Sequence, residues 1–203
     1  MRIGVFGGTF DPPHLGHLIL AAEAHAQLHL DRLLWVLTPD PPHKQGQSVT
    51  PLAQRLGLVQ AAIADNPAFE LSRVDIDRPG PHYAVDTARI LGRMYPTARL
   101  VYLMGGDSLR DLPTWYQPAE FLAACHTLGV VRRPGDAVSL AAIAARLPEI
   151  EAKIRFVEAP LLQIAASDIR RRIAEGRPYR YFLPAAVRQI IEQEKLYAQA
   201  SQT

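Results

Sequence analysis

The chain has 203 residues, 48 % of them hydrophobic, enough to bury a sizeable core in one large domain or two small ones and to exclude a disordered or fibrous chain. Twenty-two Lys and Arg against twenty Asp and Glu leave a formal charge of +2; the basic groups are dispersed, which argues against nucleic acid held by charge alone, so any anion site must be local. The single cysteine, Cys125, cannot form an internal disulfide and no apolar run reaches the roughly 18 residues of a membrane span, so a cytoplasmic protein with no membrane partner is expected.

In chain order, Arg2 to Phe6 is a short apolar run that predicts a first strand, closed by Gly7-Gly8, and His14 to Leu30 is an Ala- and Leu-rich stretch long enough for a helix. Arg32 to Leu37 predicts a second buried strand, followed by a proline-rich loop from Thr38 to Gln47. Thr50 has the chemistry of an N-cap and Pro51 that of a first helical residue, opening a helix through Leu56, Val59 and Ile63. Phe69 to Val74 reads as a strand and Tyr83 to Met94 as a helix. Arg99 to Met104 reads as a strand ending in Gly105-Gly106, which repeats the opening pattern. Thr127 to Val131 and Ile154 to Val157 read as strands flanking a helix near Ala141 to Leu147. Ser167 to Glu175 and Pro184 to Leu196 read as closing helices, with Gly176 as a C′ stop. This alternation predicts an α/β, Rossmann-like doubly wound fold: a mostly parallel sheet, helices on both faces, one domain over 1–203 and a small helical C-terminal part from about 160.

In such sheets ligands bind beyond the carboxyl ends of strands where strand order reverses, so the segment after the first strand carries most weight. It reads Gly7-Gly8-Thr9-Phe10-Asp11-Pro12-Pro13-His14-Leu15-Gly16-His17. Paired glycines let backbone N–H groups approach a ligand, Thr9 adds a hydroxyl, and His14 and His17 share one face at the positive end of a helix. The spacing is not the G-x-G-x-x-G of a hydride-transfer cofactor site. Two histidines without a third ligand or the i,i+4 spacing of H-E-x-x-H do not make a zinc site, and no metal ligand set is expected. Two solvated histidines are the plain alternative to a phosphate cradle.

Gly7-Gly8-Thr9-Phe10-Asp11 with His14-x-x-His17 resembles the signature of the nucleotidyltransferase superfamily with the H-x-G-H element. Five further segments resemble bacterial nicotinate-nucleotide adenylyltransferases: Pro41-Pro42-His43-Lys44, Gly106 to Tyr116, Arg132-Arg133-Pro134-Gly135, Ile164 to Arg170, and Leu183 to Tyr197. Together they cover nearly the whole chain. The resemblance implies transfer of AMP from ATP to nicotinate mononucleotide, giving nicotinate adenine dinucleotide and pyrophosphate on the route to NAD. The phosphomonoester is already ionised at neutral pH, so catalysis would be positioning and charge stabilisation, with no protein nucleophile.

By that resemblance His17 faces the α-phosphate, His14 and Lys44 hold phosphates as cationic donors, and Arg170 clamps the departing pyrophosphate from a helix capped by Ser167. Gly7, Gly8, Thr9, Phe10 and Gly105 would also border ATP, and Asp107 would accept hydrogen bonds from its ribose. The mononucleotide would meet Lys44, Tyr83, Ala84, Thr87, Trp115 and Tyr116, with Trp115 stacking on the pyridine and backbone N–H groups near Tyr83 to Ala84 and Tyr116 receiving its carboxylate. Mg²⁺ would arrive on the ATP phosphates. Each role has a plainer competitor: a solvated basic helix for Arg170, an N-cap for Asp107, core packing for Trp115. Ala84 and Ala165 stand where the family usually has hydroxyls. Cys125 and His126 sit at an apolar strand entry and are expected to be bystanders. Alternatives are an adenylyltransferase for nicotinamide mononucleotide or phosphopantetheine, or a nucleotide-binding regulator without turnover; homo-oligomerisation is left open.

Overall fold

Every run that the sequence marks as a buried strand joins one sheet. In the computed structural model, which describes residues 1–40, 49–131, 138–160 and 162–198, these are β1 (Arg2–Gly8), β2 (Arg32–Leu37), β3 (Phe69–Ser72), β4 (Arg99–Gly105), β5 (Thr127–Val131) and β6 (Ile154–Val157). They pair in the order β3-β2-β1-β4-β5-β6, and all five pairings are parallel. β1 lies at the centre, with Ile3 opposite Arg32 on one side and Leu100 on the other.

Parallel strands need both faces covered, which is why they read as continuous apolar runs. On one face Phe6, Trp35 and Leu103 are buried with residues of α1 (Leu15–Gln27), α2 (Leu52–Ile63), α8 (Ala166–Ala174) and α9 (Ala185–Gln193). On the other, Ile3, Val5 and Leu34 pack with Leu91 of α3 (Ala84–Met94). Beside them Met104 and Val130 pack with α4 (Gly106–Asp111), α5 (Pro118–Ala124), α6 (Leu140–Ala144) and α7 (Ile150–Lys153). No helix among the described residues is long and apolar enough to cross a membrane.

Several boundaries differ from expectation for local reasons. β1 and β4 run on through Gly8 and Gly105, because Gly8 still pairs with Leu37 and Gly105 with Val131; the turns begin two residues later after β1 and one later after β4. Thr50 does not cap α2, and Pro51 holds that place. The Thr50 backbone is committed to Asp11 and Arg55, and its side chain to Tyr197. Ser167 does not cap α8 either: the helix starts one residue earlier, with Ala165 as N-cap. Its other end is as expected, Gly176 at φ 66° donating to the Ile173 carbonyl at 3.1 Å while Arg177 donates to Arg172 at 2.7 Å. α9 stops at Gln193, and the chain then doubles back with Lys195 at φ 52° and Tyr197 at φ 64°.

Candidate active site

Between β1 and β4 the strand order reverses, so the segments leaving these two carboxyl ends diverge and open a crevice. A cleft of about 720 Å³ lies there, bordered by Gly7, Gly8 and Thr9 from one strand and by Gly105 and Asp107 from the other. Its outer wall carries Tyr83, Ala84, Thr87, Trp115 and Tyr116. A second cleft of about 630 Å³, between the start of α2, α8 and the C-terminal segment, holds Ser167 and Arg170. Of the sequence-derived candidates, Ser167 and Arg170 are thus set apart from those of the first cleft, while Phe10, His14 and His17 line neither. Lys44, with the rest of Pro41–Lys44 and Arg132–Gly135, falls outside the described residues.

The histidine pair sits at the start of α1. His14 is its N-cap and only 6 % exposed, and the two rings stack with centroids 3.7 Å apart. The His14 backbone N–H donates to Nδ1 of His17 at 3.2 Å. A ring nitrogen that accepts carries no proton, so this bond puts the His17 proton on Nε2. In this arrangement Nε2 is the His17 nitrogen that carries a donor hydrogen. The H-x-G-H spacing has a steric reason as well: a Cβ on Gly16 would lie 3.1 Å from Nδ1 of His14. Similarly, a Cβ on Gly8 would lie 2.8 Å from the Phe10 ring, which folds back under the turn. Phe10 is 2 % exposed and packs edge-on against His17 at 5.2 Å and against Phe6 at 5.4 Å. Its ring is thus core, and it has only backbone to offer a ligand.

The turn is anchored by two buried charges that the sequence reading passed over. Asp11, 3 % exposed, accepts the Thr50 N–H on Oδ2 at 3.1 Å and the Tyr197 hydroxyl on Oδ1 at 2.8 Å. Arg170 donates to the Asp11 carbonyl at 2.6 Å, so the expected clamp residue stands against the glycine turn and not on an open face. Arg55, 2 % exposed, donates to the carbonyls of Thr9, Thr38, Pro39 and Thr50, joining the segments after β1 and β2 to α2. Burial lowers its pKa, partly offset by the Asp11 charge. An arginine on the stripe that continues as Leu58, Val59 and Ala62 was the available signal.

At the other end of the first cleft, Tyr83 is the N-cap of α3 and its ring stacks on Tyr116 at 4.3 Å. Ala84 opens the helix, where backbone N–H groups have no partner within it. Thr87 is 2 % exposed, and its hydroxyl donates to buried Asp75 at 2.8 Å, which makes it a support for this wall. Arg78 completes the support, 2.9 Å from Asp75 and donating to the Pro81 carbonyl at 3.0 Å. Trp115 follows a short 3-10 turn, Leu112–Thr114, with one side on the core near Phe121 at 5.3 Å while also bordering the cleft. Asp107 lies in the first turn of α4, with Gly105 as the N-cap; its carboxylate is exposed and 3.0 Å from Arg110. Cys125 is buried and its thiol pushed up to about 12 by desolvation, as befits a bystander.

Comparison with known proteins places these features in context. Residues 5–172 match the cytidylyltransferase-like family. A Thermomicrobium roseum protein named "Probable nicotinate-nucleotide adenylyltransferase" is 50 % identical over 196 residues, covering 97 % of this chain and 91 % of its own. A Thermus thermophilus protein of the same name is 44 % identical over 197 residues, covering 97 % and 100 %. Plasmodium falciparum nicotinic acid mononucleotide adenylyltransferase, solved in complex with NaAD, superimposes with a TM-score of 0.78 at 15 % identity, covering 97 % of each chain. The same enzyme solved with APC gives 0.76 at 16 % identity, covering 97 % and 96 %. At that identity the likeness is one of fold.

Proposed function

The chain belongs to the nicotinate-nucleotide adenylyltransferase family, within the broader cytidylyltransferase-like family, and from that premise we propose that it transfers AMP from ATP to nicotinate mononucleotide. The observation that carries this reading is the pairing of two strand ends at the switch point. β1 leads through its glycines to the turn that carries His14 and His17, β4 leads to Asp107, and the two strand ends border one cleft of about 720 Å³.

In this reading a phosphate oxygen of the mononucleotide attacks the α-phosphorus of ATP. The bond from that phosphorus to the bridging oxygen breaks, and pyrophosphate leaves. His17 donates from Nε2 to an α-phosphate oxygen as charge builds there, and His14 and Lys44 steady the phosphates. Arg170 takes the β- and γ-phosphates, Ser167 lies beside them, and backbone N–H groups at Gly7, Gly8 and Thr9 line the nucleotide's path. Asp107 accepts from the ATP ribose. Trp115 presents its free side to the pyridine, and the first N–H groups of α3 at Ala84, with the backbone near Tyr116, receive the nicotinate carboxylate in place of the missing hydroxyl. No three His, Cys, Asp or Glu side chains among the described residues gather to hold a metal ion, so Mg²⁺ enters as part of the ATP substrate, where it screens phosphate charge.

The test is pyrophosphate release with ATP and each mononucleotide, with the dinucleotide product identified. Nicotinate mononucleotide should support turnover at a kcat/KM well above that with nicotinamide mononucleotide, and ATP alone should release nothing. Equal or better turnover with the amide overturns the assignment of substrate. No turnover with either overturns the reaction.

A further inference from the structure

The residue whose placement the reaction does not explain is Tyr197. It lies 186 positions from Asp11, yet its hydroxyl donates to Oδ1 of that buried carboxylate at 2.8 Å. Left-handed backbone at Lys195 and Tyr197 reverses the chain after α9, and Leu196 plugs into the core at 8 % exposure, donating to the Ile191 carbonyl at 3.0 Å. Burial and the neighbouring Asp11 charge both raise the phenol's pKa, so it stays protonated and keeps donating. A tail held only for packing would need Leu196, not a phenol aimed at a carboxylate.

Asp11 is a junction. Its other carboxylate oxygen takes the Thr50 N–H, fixing the entry of α2, and its carbonyl takes Arg170 at 2.6 Å, with that guanidinium also 3.9 Å from Oδ2. Asp11 also sits three residues ahead of His14 in the turn that feeds α1. Both the histidine-bearing turn and the arginine from α8 therefore take their position from one residue that the C-terminal segment holds in place.

We propose that Tyr197 is a positioning residue for the adenylyl transfer, holding Asp11 so that Arg170 and the turn before α1 meet the triphosphate in register. The inference rests on the reading of Arg170 as the pyrophosphate clamp, and its test separates the two. Three variants are compared by steady-state kinetics in both substrates. Tyr197→Phe removes one oxygen; kcat/KM for ATP should fall about tenfold, the loss of part of one hydrogen bond to a charged group, while KM for nicotinate mononucleotide stays within about twofold. Leu196→Ala loosens the same segment without touching Asp11; it should lower the melting temperature at least as much and leave kcat/KM for ATP near the parent value. Arg170→Ala should lower kcat/KM for ATP strongly, and the double variant with Tyr197→Phe should lose less than the two single losses combined.

Unchanged ATP kinetics in Tyr197→Phe alongside a large Arg170→Ala loss would overturn the role of Tyr197 and leave the clamp standing. An equal loss in Leu196→Ala would reduce it to tail packing. Unchanged ATP kinetics in Arg170→Ala would overturn the clamp itself, and with it any action transmitted through Arg170.

Discussion

Nδ1 of His17 accepts the His14 N–H, and that bond ties the ring's geometry to its chemistry. Removing the ring should cost what a preorganised donor to a developing charge usually costs. His17→Ala is expected to lower kcat/KM by roughly 10²–10³, or about 3–4 kcal/mol of transition-state stabilisation. The ring is only partly buried, so circular dichroism and thermal melting should stay close to those of the parent. Turnover within about threefold of the parent would remove His17 from the mechanism. Trp115 shows why a choice between ligand face and core was too sharp for that residue. One side rests near Phe121 and it also borders the cleft, an arrangement open to a large planar group and invisible to sequence periodicity.

Among elements, the strands were legible because parallel strands buried on both faces leave unbroken apolar runs, and all six appear where the sequence puts them. The short helices α4, α5 and α7 were not, since four to seven residues carry too little periodicity to register. The start of α2 slipped by one residue because the Thr50 side chain, its expected cap, has a partner through space in Tyr197. In the site, the segment from Gly7 to His17 stands out in the sequence, but what anchors it does not, because Asp11 meets Thr50 and Tyr197, and Thr9 meets Arg55, only once the chain has folded. Arg55 is the clearest case at this scale, one side chain binding the segments after β1 and β2 to α2 through four carbonyls. Arg55→Leu would strand those acceptors in the interior. It should cost about 3 kcal/mol or more, seen as a melting temperature lower by roughly 6–12 °C. A shift of under about 2 °C would mean the loops are held without it.

Among the described residues, burial keeps neutral the thiol of Cys125, raised to about 12 from 9.0, and the phenols of Tyr102 and Tyr197, both raised above 10.0, and it raises the Tyr179 phenol as well. The folded chain keeps these protons while the unfolded chain releases them, so stability must fall as pH climbs. For Cys125 the loss begins near 9.0 and continues towards about 12; the phenols add theirs above 10.0. Urea midpoints measured from pH 8 upward should decline through this window, and Cys125→Ala should flatten the first part of the decline. A parent midpoint flat to pH 11 would contradict that burial. The bond between Tyr197 and Asp11 has a consequence of a different kind, in time and not in pH. Synthesis delivers the glycine turn first and the phenol that fastens it 186 positions later, so the turn before α1 stays unfastened until nearly the whole chain has been made. Competence then arrives as a late event, in the same stretch of chain that supplies Leu183, Val187, Ile191 and Leu196 to the core, so a prematurely stopped chain would lack both the fastening and that part of its interior.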